Sequence, residues 1–287
     1  MKTILLWLAA IFLAVNASAA SYGPYPGETY QTCGPSNAPV AVELIHGGAW
    51  ASGNYDASQT QTLCRYLGAN GIYVISVNYR LSGVAPWPAQ LQDVQLGLRY
   101  LRLITTAKRI GVIGTSAGGH IALSVGEASG TVQFATTDSV REASMLPGVS
   151  DRPDFVVDIS GPTDLTDPKL LPGDVAVLVR GLGMNPTAAR AFASPIAHLT
   201  SDIPPILISH GVQDTTVPVG QSDEFVRAAR PAGIPLTSVN TGSGNAVAAL
   251  SGITYDRHPG GHALSVAPAV QAAMLRMILQ FSKGTQQ

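Results

Sequence analysis

The segment Arg109-Ile-Gly-Val-Ile-Gly114-Thr115-Ser116-Ala117-Gly118-Gly119-His120-Ile-Ala-Leu constrains the fold more than any other part of the chain. An apolar, β-prone run meets a Gly-x-Ser-x-Gly turn and passes at once into a small-residue helical pattern, the strand, elbow and helix context of a nucleophilic serine. A strand that reverses straight into a helix forces its apex residue into a strained φ > 0 conformation with the side chain pointing outward. Gly114 and Gly118 leave room for that turn, and Gly119 lets the start of the helix pack close against the sheet. The helix N-terminus also aims free N–H groups and a positive dipole end at any anion formed beside Ser116. The expected chemistry is therefore acyl transfer.

Around the elbow the chain alternates strand and helix. Strands are expected at Val40–Ile45, 73–78, 109–113, 155–160, 206–210 and 253–257, with helices at 57–68, Ala89–Ile104 and 266–281. Leu91, Val94, Leu98 and Leu101 repeat at helical spacing, whereas Tyr73-Val-Ile-Ser-Val77 is a short β-branched run. Strands alternating with helices imply a mostly parallel sheet covered on both faces, an α/β fold. Residues 21–39, rich in Gly, Pro, Tyr and Thr, predict an extended lead-in without regular structure, and residues 236–252 predict a flexible glycine-rich loop. Two long segments, 136–152 and 163–199, break the alternation and are placed to lean over a site or to form surface helices.

Of the 287 residues 46% are hydrophobic, and the formal net charge is −1. That suffices for one large core, expected to span residues 21–287 as a single domain. A balanced charge with no basic run argues against nucleic acid as a partner. Residues 1–20 read differently: Lys2, an apolar stretch from Ile4 to Val15, then Ala17-Ser18-Ala19-Ala20. A charged start, a short apolar core and an Ala-x-Ala exit predict a signal peptide cleaved after Ala19 or Ala20, hence a secreted or periplasmic protein with no lasting membrane insertion. Only Cys33 and Cys64 are present, and an exported chain with an even count invites a disulfide, against the alternative of two buried thiols.

A serine hydroxyl needs a histidine base and a carboxylate to orient it, in the chain order nucleophile, acid, histidine for this type of elbow. Of six histidines, His46, His120, His198 and His210 fall before a glycine pair, inside the elbow helix, ahead of a strand and at a strand end. His258 and His262 follow the last strand in Asp256-Arg-His-Pro-Gly-Gly-His262, and the two glycines favour His262 as the base. Asp214, just past the carboxyl end of a strand, is the expected acid, with Asp164 in Ser160-Gly-Pro-Thr-Asp164 as the alternative. His46-Gly47-Gly48-Ala49-Trp50, directly after the first strong strand, offers the N–H groups of Gly48 and Ala49, with that of Ala117, as an oxyanion hole.

These pieces match a known family. His46-Gly-Gly-Ala-Trp50, Asn78-Tyr79-Arg80-Leu81 with Pro86-Trp-Pro-Ala-Gln-Leu-Gln-Asp93, Gly114-Thr-Ser-Ala-Gly-Gly-His120 and Ser194-Pro-Ile-Ala-His198 resemble α/β-hydrolase esterases of the hormone-sensitive-lipase-like type. The likeness is to the branch near bacterial feruloyl and acetyl esterases and kynurenine formamidase, over roughly residues 40–282. It implies the triad Ser116, Asp214 and His262 and an oxyanion motif on Gly47, Gly48 and Ala49. The chain departs from the pattern in three places: Ala49 replaces the third glycine, Ala263-Leu264 replaces the usual Gly-Phe, and the lead-in is short for the family's N-terminal strands or cap.

The expected activity is a secreted serine carboxylesterase acting on short acyl or aromatic esters, acetyl or feruloyl groups on polysaccharide included. It requires no metal or organic cofactor, and its partner is a small or polysaccharide-linked ester. An amide hydrolase on the same machinery is the alternative enzyme, and a binding protein on a hydrolase scaffold the alternative of another class.

Overall fold

The structure is a computed structural model that describes residues 20–128, 146–243, 249, 251–265 and 267–284. Residues 1–19, nearly all of the segment expected to be a signal peptide, residues 136–145 of the first long segment and Val266 lie outside the described residues. The strands are β1 (Ala20–Ser21), β2 (Thr29–Cys33), β3 (Val40–Ile45), β4 (Tyr73–Val77), β5 (Arg109–Thr115), β6 (Phe155–Ile159), β7 (Ile206–Gly211), β8 (Leu236–Val239) and β9 (Ile253–His258). They form one nine-stranded sheet in the order β1-β2-β4-β3-β5-β6-β7-β9-β8. β1 and β2 pair antiparallel, and every pairing from β4 onward is parallel.

Helices α1 (Ser58–Ala69), α2 (Ala89–Ile104), α3 (Ala117–Ala128), α4 (Pro172–Leu178), α5 (Pro186–Phe192), α6 (Gly220–Ala229) and α7 (Pro268–Lys283) complete the described elements. Because strand side chains alternate between faces, the buried strands feed two cores. Ile45, Val112, Val156 and Ile208 pack with Leu91 and Leu98 of α2 and Ile121 of α3. Val42, Leu44, Ile113, Val157 and Leu207 pack on the other face with Leu63 and Leu67 of α1 and Met274 and Phe281 of α7. Burial on both faces is why these strands read as near-continuous apolar runs.

Two expectations need correction. The lead-in is not structureless: Thr29–Cys33 pairs antiparallel with β4, Tyr30 opposite Val77 and Cys33 opposite Val74. Its residues are only half-buried, so it carries little apolar signal, and Tyr and Thr propensity is all that marks it. Likewise the glycine-rich stretch begins with β8, which adds to β9 with Leu236 opposite Ile253. Four half-exposed residues beside Gly242 and Gly252 were too few to register as a strand. Cys33 on β2 and Cys64 on α1 form a disulfide, tying that outer strand to the first helix.

Candidate active site

Ser116 sits between the end of β5 and the start of α3 with φ 55°, the left-handed conformation expected at the elbow. Its N–H donates to Ile159 O at 2.8 Å, and its carbonyl accepts from His120 N at 3.1 Å. The glycines are compulsory on geometric grounds. A Cβ on Gly114 would meet Gly118 O at 2.0 Å, and one on Gly118 would meet Ile45 O at 2.3 Å and His46 O at 2.6 Å. The elbow is thus pressed against the end of β3, which brings the Gly-Gly loop beside Ser116.

That loop runs through three successive positive φ angles, Gly48 at 122°, Ala49 at 51° and Trp50 at 60°. The carbonyl of Gly48 is turned into the loop, accepting from Ala51 N and Ser52 N at 3.1 and 3.0 Å. Trp50 anchors the far end. Fully buried, it donates its indole N–H to His120 Nδ1 at 3.1 Å, and His120 Nε2 in turn donates to Ala193 O at 2.7 Å. Burial pushes His120 down to about 4, so it stays neutral and keeps that tautomer at ordinary pH. His46 stacks on Tyr79 with ring centroids 4.3 Å apart and donates from Nδ1 to Gly47 O, and Tyr79 donates to His46 O at 3.1 Å. Both ring nitrogens of His120 are thus engaged, while His46 is buried with its Nδ1 committed to the loop.

Asp214 follows β7 in a turn that consumes one side of its carboxylate: Oδ1 accepts from Thr216 N and Val217 N, both at 2.9 Å. Oδ2 faces two imidazoles, His262 Nδ1 at 2.7 Å and His210 Nε2 at 3.2 Å. Burial raises this carboxyl, but the hydrogen bonds from His210, His262 and Val217 N outweigh it and hold Asp214 well below the usual carboxylate range. His262 reaches this position because the loop after β9 folds tightly over the end of β7. Val212 N donates to His258 O and Gln213 N to Gly260 O, and a Cβ on Gly211 would lie 2.4 Å from the carbonyls of Gly260 and Gly261.

The alternatives fall elsewhere. His258 is the last residue of β9, buried and paired opposite Gly211. Asp164 closes its own turn, accepting from Thr166 N and Oγ1. Ser116, Gly47, Gly48, Ala49 and His262 line one cleft of about 570 Å³ at the carboxyl edge of the sheet. Leu171 and Asp174 of the second long segment line it too, so that segment does lean over the site. The residue that sequence reasoning passed over is His210. Its place at a strand end gave no hint that the following turn folds Asp214 back over it.

Residues 30–228 match the family described as BD-FAE. Esterase LipC of Mycobacterium tuberculosis is 30% identical over 206 residues, 67% of this chain and 48% of LipC. This chain therefore spans about half the length of that relative. A truncated form of carbohydrate esterase from gut microbiota is similar in structure, with a TM-score of 0.71 at 24% identity, covering 93% of this chain and 95% of that one. So is an acetyl ester-xyloside bifunctional hydrolase from Caldicellulosiruptor lactoaceticus, with a TM-score of 0.62 at 23% identity and coverage of 91% and 86%.

Proposed function

Because the chain belongs to the BD-FAE family, an α/β-hydrolase of the hormone-sensitive-lipase-like branch, we propose that it is a serine carboxylesterase using Ser116, His262 and Asp214. The observation that carries the reading is the shared cleft: Ser116 on its strained elbow and His262, backed by Asp214 at 2.7 Å, line the same cavity. Ser116 Oγ attacks the ester carbonyl carbon while His262 Nε2 takes its proton. The carbonyl oxygen becomes an oxyanion held by the N–H groups of Gly48, Ala49 and Ala117, an arrangement whose individual donors are each worth about 3 to 4 kcal/mol in the transition state. Collapse expels the alcohol, protonated from His262, and leaves an acyl-serine. A water deprotonated by His262 then releases the acid and restores Ser116.

The substrates in this reading are short acyl or aromatic esters, acetyl or feruloyl groups on polysaccharide among them. The cleft volume of about 570 Å³ is within the range of small-ligand sites. The names of two structurally similar proteins, a carbohydrate esterase and an acetyl ester-xyloside bifunctional hydrolase, are in keeping with a carbohydrate-linked ester. Export is part of it, motivated by the leader-like residues 1–20 and by a Cys33–Cys64 disulfide, which persists in oxidising compartments. The N-terminal residue of the mature protein is then Ala20 or Ser21, and Edman sequencing of exported protein reads it.

The test of the enzyme reading is hydrolysis of p-nitrophenyl esters from acetate to palmitate, with methyl ferulate and acetylated xylan, by the mature chain and its Ser116→Ala variant. Ester turnover and fluorophosphonate labelling are both expected to disappear in the variant. Turnover that survives Ser116→Ala, or none with any ester, would overturn the proposal.

A further inference from the structure

We propose that His210 is a positioning residue for the acid of the triad, holding the Asp214 carboxylate so that Oδ2 stays turned toward His262. The inference rests on the serine-esterase reading above. His210 is completely buried at the end of β7. Its Nε2 lies 2.8 Å from Val217 O and 3.2 Å from Asp214 Oδ2. Both partners only accept, so Nε2 carries its hydrogen whatever the charge on the ring, and shares it between them. Nδ1 lies 2.7 Å from Ser222 Oγ on α6, which fixes the plane of the imidazole from the other side.

The consequence lies in the division of labour around one carboxylate. Oδ1 belongs to the backbone of its own turn, through Thr216 and Val217. Oδ2 is left to two imidazoles on opposite business: His262, which must gain and lose a proton, and His210, which has only to donate. Oδ2 sits in a buried environment where each donor weighs more than in water. Without the His210 donor the carboxylate becomes more basic and freer to rotate, and it grips the proton on His262 more tightly. The base then stays protonated to higher pH, and the fraction of turns with a correctly aimed imidazole falls.

The titratable groups facing His210 are Asp214 and, across from β6, Asp158; His262 lies beyond Asp214. α6 contributes the uncharged Ser222. Exchange of His210 for a neutral amide therefore keeps a donor toward Asp214, gives up the contact to Ser222 and leaves both carboxylates in place.

The experiment compares the parent with His210→Leu, His210→Gln and Ser222→Ala, measuring kcat/KM for p-nitrophenyl acetate against pH, with thermal unfolding as the check on folding. Glutamine puts an amide N–H close to where Nε2 was. His210→Leu is expected to lose about ten- to hundredfold in kcat/KM, the weight of a hydrogen bond to a charged group, and to move the acid limb of the profile to higher pH. His210→Gln recovers most of the rate and returns the limb. Ser222→Ala, which keeps the ring but frees its plane, moves the limb in the same direction by less, and it carries the test if the leucine variant does not fold. A folded His210→Leu with the parental acid limb overturns the proposal, as does a loss that glutamine leaves unrescued, since both describe mere packing. If the parent itself shows no Ser116-dependent turnover, the esterase reading fails first, and that result is distinct from either.

Discussion

Asp158, the residue before the end of β6, has no exposure to solvent; its Oδ1 accepts from Gly161 N at 2.8 Å and its Oδ2 has no hydrogen-bond partner among the described residues. Burial pushes its carboxyl up to about 7, against the opposing pull of His210, Gly161 N–H and His262. An unfolded aspartate releases its proton near pH 4. Between those values the folded chain holds a proton that the unfolded chain has lost, so this group's contribution to stability falls as pH rises from about 4 to about 7. Asp158→Asn keeps the acceptor for Gly161 and removes the titration. Relative to the parent, the variant should gain on the order of 4 kcal/mol between pH 4 and pH 7.5, read as the difference between urea midpoints at the two pH values. His46 and His120, pushed down to about 4 by burial, work in the other direction, costing stability as pH falls from about 6.5 to about 4. They are common to both proteins and drop out of the comparison. Parallel parent and variant curves across this range would mean that Asp158 is ionised in the folded chain throughout.

At the scale of elements, α3 is set by what lies under its first turn. A Cβ on Gly119 would meet Asp158 Oδ1 at 2.1 Å and Gly161 Cα at 3.0 Å, so the helix is pressed onto the loop after β6. Helix propensity alone favours Ala over Gly by about 1 kcal/mol. Gly119→Ala should nonetheless destabilise, by about 1 to 3 kcal/mol, because overpacking wins at a rigid contact. Gly220→Ala at the start of α6, with open space around its Cβ, should show the propensity gain, and the two Tm shifts should have opposite sign. The disulfide is the other element-level staple. With Cys33 and Cys64 separated by 31 positions in sequence, its removal in a Cys33→Ser, Cys64→Ala double variant should cost about 3 to 4 kcal/mol, visible as a lower urea midpoint. The elements themselves divide in legibility along physical lines. β3, β4, β5 and α2 were legible because burial on both faces or on one helical stripe wrote them as apolar runs or repeats. β2 and β8 are outer strands of the sheet, half-exposed, and their pairing depends on neighbours distant in sequence, which no local pattern encodes.

The whole molecule matters because the cleft is drawn from everywhere: the Gly47–Gly48 loop, the elbow at Ser116, Leu171 between β6 and β7, Thr216 after β7 and His262 after β9. The elbow and the glycine pair were legible as local motifs, and His262 with Asp214 as a chain order. The joint grip on Asp214 was not, since it exists only once β7 and β9 lie side by side. On the proposed serine-esterase reading, the segment between β6 and β7, which supplies Leu171 and Asp174 to the wall of the cleft, is predicted to set substrate choice. Leu171, held at φ 38° ahead of α4, is the apolar side chain that this segment contributes to the cleft. A single methylene in an apolar pocket discriminates by about ten- to two-hundredfold. Leu171→Ala removes several such groups from the wall and should shift preference toward longer acyl chains, raising the ratio of kcat/KM for p-nitrophenyl octanoate over acetate by about tenfold or more. The acetate rate itself should change little, since Ser116, His262 and the glycine loop are untouched. If the ratio stays at its parental value in folded Leu171→Ala, the acyl chain runs instead along another part of the cleft lining, such as that formed by Ala51 and Gln59, and the segment between β6 and β7 shapes the alcohol side.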